Sequence, residues 1–126
     1  MQDTPDHTEI LAAVTALLRD EIMPLLSGRP NYQVRVAANA LDLVGRQMAL
    51  QDGFDVAEHE RLIELLGRDG DLTALNQALC DAIETNTVTL ETPGVREHLW
   101  TTTMAKLAVD QPSYARYQAE LKNEPA

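Results

Sequence analysis

Apolar residues recur at helical spacing along most of the chain, and the longest such stretch, VRVAANALDLVGRQMAL, runs from Val34 to Leu50. Side chains three or four residues apart share one face of a helix, and nearly every face of this stretch is apolar. A helix with so little polar surface is normally packed on several sides. The pattern therefore predicts a central helix near residues 31–51, around which the other helices pack.

Turn and capping signals predict the helix that precedes it. A Thr-Pro pair at residues 4–5 is typical of a helix start, with Thr4 as the N-cap. Pro24 lacks a backbone donor and predicts a kink or an end near Met23. The sequence SGRP at residues 27–30 then predicts a turn.

The later part of the chain also contains turn and capping signals. Asp52-Gly53 predicts the end of the central helix, and Asp55 with Glu58 has the spacing of a capping box. Further helices are expected at 56–66 with Gly67 as the C-cap, from the N-cap Asp71 onward, from about 93 to 109 and at 113–121, with an extended connection over 85–92. The predicted fold is all-α: one domain over residues 1–126, a compact bundle of five to six helices, with 1–4 and 122–126 frayed.

Composition and charge narrow the class of protein. The chain has 126 residues, a length typical of one domain, and a net charge of −10. Such a surface repels nucleic-acid phosphates and anionic lipid, so neither is expected as a partner. Cys80 is the only cysteine, which excludes an intrachain disulfide and fits a reducing cytoplasm. A polar N-terminus and the lack of a long apolar run also favour a cytoplasmic protein.

Motifs for catalysis are missing from the sequence. No histidine follows a carboxylate by three residues, as a di-metal helical bundle requires, and His59-Glu60 lacks the second histidine of a zinc hydrolase. There is no glycine-rich phosphate loop and no Gly-x-Ser-x-Gly turn. Cys80 follows Leu79 and is expected to be a small buried apolar residue. No catalytic residue, metal or cofactor is predicted, and a non-enzymatic protein is favoured.

One polar stripe runs along the otherwise apolar central helix. It comprises Arg35, Asn39, Asp42 and Arg46, which stand three or four residues apart. One hypothesis is a preorganised site for an anionic ligand on this helix. The favoured alternative is a structural network or a solvated face, because structural ion pairs outnumber sites.

Aromatic residues near the C-terminus are candidates for an interface. Trp100 follows Arg96 and His98 in the fifth predicted helix, and Tyr114 and Tyr117 belong to the last one. Large amphipathic side chains of this kind anchor many protein interfaces. A pocket that uses His98 and Trp100 has no further support in the sequence.

Two phrases carry a resemblance to a known family. They are EIMPLLSGRPNYQVRVAANALDLVGRQ and LWTTTMAKLAVDQPSYARY, and with the chain length they resemble the bacterial family catalogued as domain of unknown function 6285. The resemblance implies a small helical protein with no assigned activity and no catalytic residues. It also implies an accessory role beside a larger enzyme, such as an acyl-CoA dehydrogenase or an aminoglycoside-phosphotransferase-like protein, and it picks out Arg29, Arg35 and Asn39.

Two functions therefore stay open. The first is a non-enzymatic accessory or interaction protein, whose partner is itself or a larger metabolic enzyme and whose anchors are Trp100, Tyr114 and Tyr117. The second is a small-molecule binding protein or enzyme that holds an anionic ligand at Arg29, Arg35, Asn39, Asp42 and Arg46.

Overall fold

The computed structural model describes residues 3–123, and in that range the regular structure is helical, as predicted. The α-helices are α1 (His7–Ala16), α2 (Gly28–Leu66), α3 (Leu72–Glu84), α4 (Val95–Asp110) and α5 (Ala115–Asn123). A π-helical turn (Leu17–Ile22) and a 3₁₀ turn (Met23–Leu25) continue α1. The fraying predicted for residues 1–2 and 124–126 concerns positions outside the described residues, whereas Lys122 and Asn123, which were included in that prediction, belong to α5.

The first helix begins two residues later than its Thr-Pro signal predicts. Asp6 is the N-cap: its carboxylate accepts from the Glu9 amide at 2.9 Å, and the Glu9 carboxylate accepts from the Asp6 amide at 2.8 Å. This reciprocal capping box satisfies two amides that the first turn leaves unpaired. The predicted effect of Pro24 near Met23 is confirmed, because the helix narrows to a 3₁₀ turn there and ends at Leu25.

Helix α2 is longer than predicted. It runs for 39 residues through Asp52-Gly53, so the predicted break there and the separate helix at 56–66 are wrong. Asp55 does not cap a new helix, because its carboxylate accepts from Gln51 Nε2 at 2.6 Å, one turn earlier. A glycine inside a helix costs only about 1 kcal/mol, which the hydrogen bonds of a continuous helix outweigh. The predicted C-cap is confirmed at Gly67, whose φ is +65°.

Contacts along the chain divide it into two compact units, one up to Leu50 and one from Gln51 onward. We call them the N-terminal and C-terminal units. The prediction of a single domain stays a prediction.

The N-terminal unit is an antiparallel helical hairpin of α1 and the first half of α2. Leu11 lies beside Gly45 near one end, and the Asn31 side chain donates to the carbonyls of Met23 and Leu26 at the other. Among the described residues of this unit only Thr15 and Ala38 are buried.

The C-terminal unit has a core of large apolar side chains. Its buried members come from α2, α3, α4 and the loop before α4: Leu62, Leu75, Leu79, Val88 and Val95. The loop at residues 85–92 forms turns and not the predicted extended connection, because Val88 points into this core and its amide donates to the Ala82 carbonyl at 3.0 Å.

Two expectations about burial are corrected. Cys80 is exposed, although it was expected to be a small buried residue, because Leu79 takes the inward position on α3. The helix at Val34–Leu50 was expected to be packed on several sides, yet large parts of its apolar surface are exposed.

Candidate functional site

One side of the hairpin is an exposed apolar surface. Five of its large side chains are each between 40% and 47% exposed: Ile10, Val14, Leu17, Val44 and Met48. A contiguous apolar patch of several hundred Å² on a protein surface is often an interaction site. We call this surface the hairpin face and include in it Ala37 and Leu41, which precede Val44 and Met48 on the same side of α2.

Helical geometry places these residues on one side. Thr15 and Ala38 are buried and mark the sides on which the two helices meet. Val14 and Ala37 each precede a buried residue by one position, which is about 100° around a helix. Because the helices run antiparallel, both rotations lead to the same side of the hairpin. None of the residues of the hairpin face is charged.

The opposite side of the hairpin carries a polar network. Arg19, in the π-helical turn, donates from Nη2 to Asp42 Oδ2 at 2.8 Å and to Asn39 Oδ1 at 3.0 Å. The Arg19 and Asp42 side chains are about 40% exposed, so the ion pair is partly screened by water. Asn39 thus joins α1 to α2, as an amide in a helix interior does when it reaches a neighbouring segment.

The other predicted ligand-binding residues are not all brought together. Arg35 donates to Asn31 Oδ1 at 3.4 Å, one turn earlier in α2. Arg46 lines a groove of about 410 Å³ between α1 and α2, which Asp42 also lines. Arg29 is exposed in the first turn of α2. The structure therefore unites Asn39 and Asp42 through Arg19, a residue that the sequence did not single out because it belongs to another helix.

A second polar group lies inside the C-terminal unit. Arg61 donates from Nε to His98 Nδ1 at 3.3 Å and from Nη2 to Thr102 Oγ1 at 3.1 Å. His98 is only 2% exposed. Burial lowers the pKa of His98 below its usual value, the Arg61 guanidinium lowers it further, and the Glu58 carboxylate opposes both. Arginine always donates, so Nδ1 accepts and the neutral imidazole carries its proton on Nε2.

His98 and Arg61 line a cleft of about 410 Å³ with Glu64, Pro93, Gly94 and Glu97. Two carboxylates and one guanidinium give this cleft no excess of positive charge. Within residues 3–123 no three His, Cys, Asp or Glu side chains converge as a metal site requires. The Arg61–His98 hydrogen bond joins α2 to α4, and the described lining residues of the cleft include no serine, threonine, cysteine or lysine.

The three predicted interface aromatics differ in exposure. Trp100 and Tyr114 are 48% and 50% exposed. Tyr117 is buried and lines an apolar groove with Phe54, Met104 and Leu121. Their role at an interface stays a prediction.

Comparison with known proteins gives one match. No curated protein and no solved structure matches the chain. In the part of the chain that the structure describes, no helix is both long and apolar enough to cross a membrane. The model of a family described as domain of unknown function, DUF6285, matches residues 24–114. This range covers the first phrase of the resemblance from Pro24 onward and the second up to Tyr114, and the chain therefore belongs to this family.

Proposed function

We propose that this protein is a non-enzymatic interaction protein of the cytoplasm that acts beside a larger metabolic enzyme. The observation that carries the proposal is the hairpin face, where five large apolar side chains are exposed together. Burying apolar surface contributes about 25 cal/mol per Å², so this surface favours association with another protein.

The polar groups support a structural role for the charged residues. Arg19 is bonded to Asn39 and Asp42, and Arg61 is bonded to His98 and Thr102. These guanidinium groups already donate hydrogen bonds to side chains of the same chain. A reacting site needs donors that are aimed at a substrate, and the two networks aim theirs at neighbouring side chains.

The test is capture of partners by tagged protein expressed in its native host, followed by quantitative mass spectrometry. Val44→Lys places a charge on the hairpin face, and Trp100→Ala removes the exposed indole. Val56→Lys is the matched control, because Val56 is 60% exposed on α2 outside the hairpin face. One enzyme captured in a fixed ratio, lost with Val44→Lys or Trp100→Ala and kept with Val56→Lys, supports the proposal. Capture of no other protein by the wild type contradicts a role beside an enzyme.

The second candidate is a protein that binds a small anionic ligand at the polar stripe of α2. The groove that Arg46 lines favours it, since grooves of this size hold small ligands. It ranks second because the Asp42 carboxylate lines the same groove and offsets the guanidinium charge. A thermal-shift screen with inorganic phosphate and succinate tests it, with Arg46→Gln and Arg35→Ala as comparisons. A stabilisation that either variant abolishes would place this candidate first.

A further inference from the structure

We infer that the hairpin face is covered by the hairpin face of a second copy of this chain, so that two hairpins form a four-helix bundle. The inference deepens the proposed interaction role and rests on it. It names a second copy as the occupant of the hairpin face, so that an enzyme whose capture depends on this face would bind the dimer and not the single chain.

The N-terminal unit lacks a core of its own. Its buried described residues are a threonine and an alanine, Thr15 and Ala38, and several of its large apolar side chains are exposed. A helix must bury its apolar stripe against another element, and two helices alone bury only the seam between them. Chains of fewer than about 40 residues usually need oligomerisation or a staple to be stable; the hairpin, from His7 to Leu50, is only slightly longer and contains no cysteine.

A second copy matches the hairpin face in size and symmetry. The helical segment from His7 to Ile22 comprises 10 α-helical and 6 π-helical residues and is about 24 Å long. Two adjacent helices are about 20 Å wide, so the face covers on the order of 500 Å² in projection and more in accessible area. Standard interfaces bury about 800 Å² per partner. In an isologous contact both subunits use the same patch, so two hairpin faces can pack on each other without any other surface of the chain.

Charge also favours the same chain as occupant. The segment from His7 to Ile22 holds three carboxylates and one guanidinium, whereas residues 28–50 hold three guanidinium groups and one carboxylate. A two-fold axis parallel to the helices places the acidic segment of one copy over the basic half of α2 of the other. Neighbouring helices are then antiparallel, as in up-and-down four-helix bundles, and the two helices that pack on each other across the interface have opposite net charge.

The experiment is sedimentation equilibrium of the full chain from about 1 to about 100 μM, since association depends on concentration. The wild type is expected at twice the 13.9 kDa mass of one chain. Val14→Lys and Val44→Lys should raise the dissociation constant at least about a hundredfold, because each dimer would hold two desolvated ammonium groups. The control Val56→Lys should sediment like the wild type.

A variant that fails to fold leaves the proposal testable, because two wild-type measurements are independent of it. Copies with two different affinity tags should co-purify after co-expression, and the midpoint of thermal unfolding should rise with protein concentration. A wild type that stays at the mass of one chain at 100 μM overturns the second copy as occupant. So does a dimer that both lysine variants of the hairpin face leave intact. A monomer that still loses a captured enzyme with Val44→Lys keeps the interaction role, so the two proposals can fail separately.

Discussion

Arg61 donates from Nε to Nδ1 of His98, and this bond determines which nitrogen of a buried imidazole carries the proton. Protonation of Nδ1 would remove the acceptor and place a cation beside a guanidinium. Burial and Arg61 therefore both lower the pKa of His98, with Glu58 as a weaker opposing influence. The two residues link α2 to α4 inside the C-terminal unit.

This relationship predicts a pH dependence of stability. The unfolded chain binds a proton at His98 below about pH 6.5, whereas the folded chain does not until a lower pH. The contribution of His98 to the free energy of unfolding is thus fully present above pH 6.5 and is lost as pH falls from there through the folded pKa. Urea unfolding of the wild type and of His98→Asn from pH 7.5 to 5 measures it.

The asparagine variant serves as its own control for geometry, because Oδ1 can accept from Arg61 without titrating in this range. Its free energy of unfolding should fall less steeply with decreasing pH than that of the wild type. Parallel pH profiles for the two proteins would show that His98 has the same pKa in both states, and would contradict the prediction.

The Arg19–Asp42 ion pair predicts a small coupling energy. Both side chains are about 40% exposed, and exposed pairs contribute about 0.2–1 kcal/mol. We expect the upper half of that range, because the guanidinium also donates to Asn39 and joins two helices. The measurement is a double-mutant cycle with Arg19→Met and Asp42→Asn, read by the free energy of unfolding.

The Arg116–Glu120 pair of α5 is the matched control. It has the same 2.8 Å separation, but it lies within one helix at i,i+4 spacing, and Arg116 is 75% exposed. Its coupling should be about 0.3–0.5 kcal/mol. An equal or larger value for this local pair would argue that the Arg19 network does not hold the hairpin together.

The sequence predicts the helices because their causes are local. The 3.6-residue period identifies α1, α3 and α4, and Asp71 and Gly67 are capping residues in the structure as predicted. The error at Asp52-Gly53 has a physical cause. A glycine destabilises a helix by only about 1 kcal/mol. Such a residue ends a helix only where tertiary packing does not stabilise the helix beyond it.

The candidate sites are less predictable because their partners are distant in sequence. Asn39 and Asp42 share a face of one helix, so spacing alone groups them. Arg19 is 23 positions from Asp42, and Arg61 is 37 positions from His98. Only the folded chain brings such residues together, and the same is true of the two halves of the hairpin face.

Truncation of a side chain in the core of the C-terminal unit should lower the free energy of unfolding strongly. Leu75 is almost fully buried among Leu62, Leu79 and Val95. Leu75→Ala should lower the free energy of unfolding by about 2–5 kcal/mol, through lost apolar burial and the cavity that remains. Leu90→Ala is the control, since Leu90 is 52% exposed in the loop before α4, and equal losses for the two variants would contradict this assignment of the core.

Alanine substitutions at two glycines should change the free energy of unfolding in opposite directions. Gly53 lies inside α2, and a Cβ added there meets no atom within 4 Å. Gly53→Ala should raise the free energy of unfolding by about 0.5–1 kcal/mol, because alanine restricts the unfolded chain and favours the helix. A neutral or destabilising result would show that the helix is not continuous at the position where the sequence predicted a break.

Gly94 has the reverse constraints. It is the N-cap of α4 with a φ of +87°, and an added Cβ would lie 3.3 Å from Leu65 Cδ1. A side chain at positive φ costs about 1–2 kcal/mol, and Leu65 must also shift. Gly94→Ala should therefore lower the free energy of unfolding by about that amount, measured by urea denaturation alongside Gly53→Ala. An increase would mean that residue 94 adopts a different backbone conformation in solution, and α4 would then begin differently.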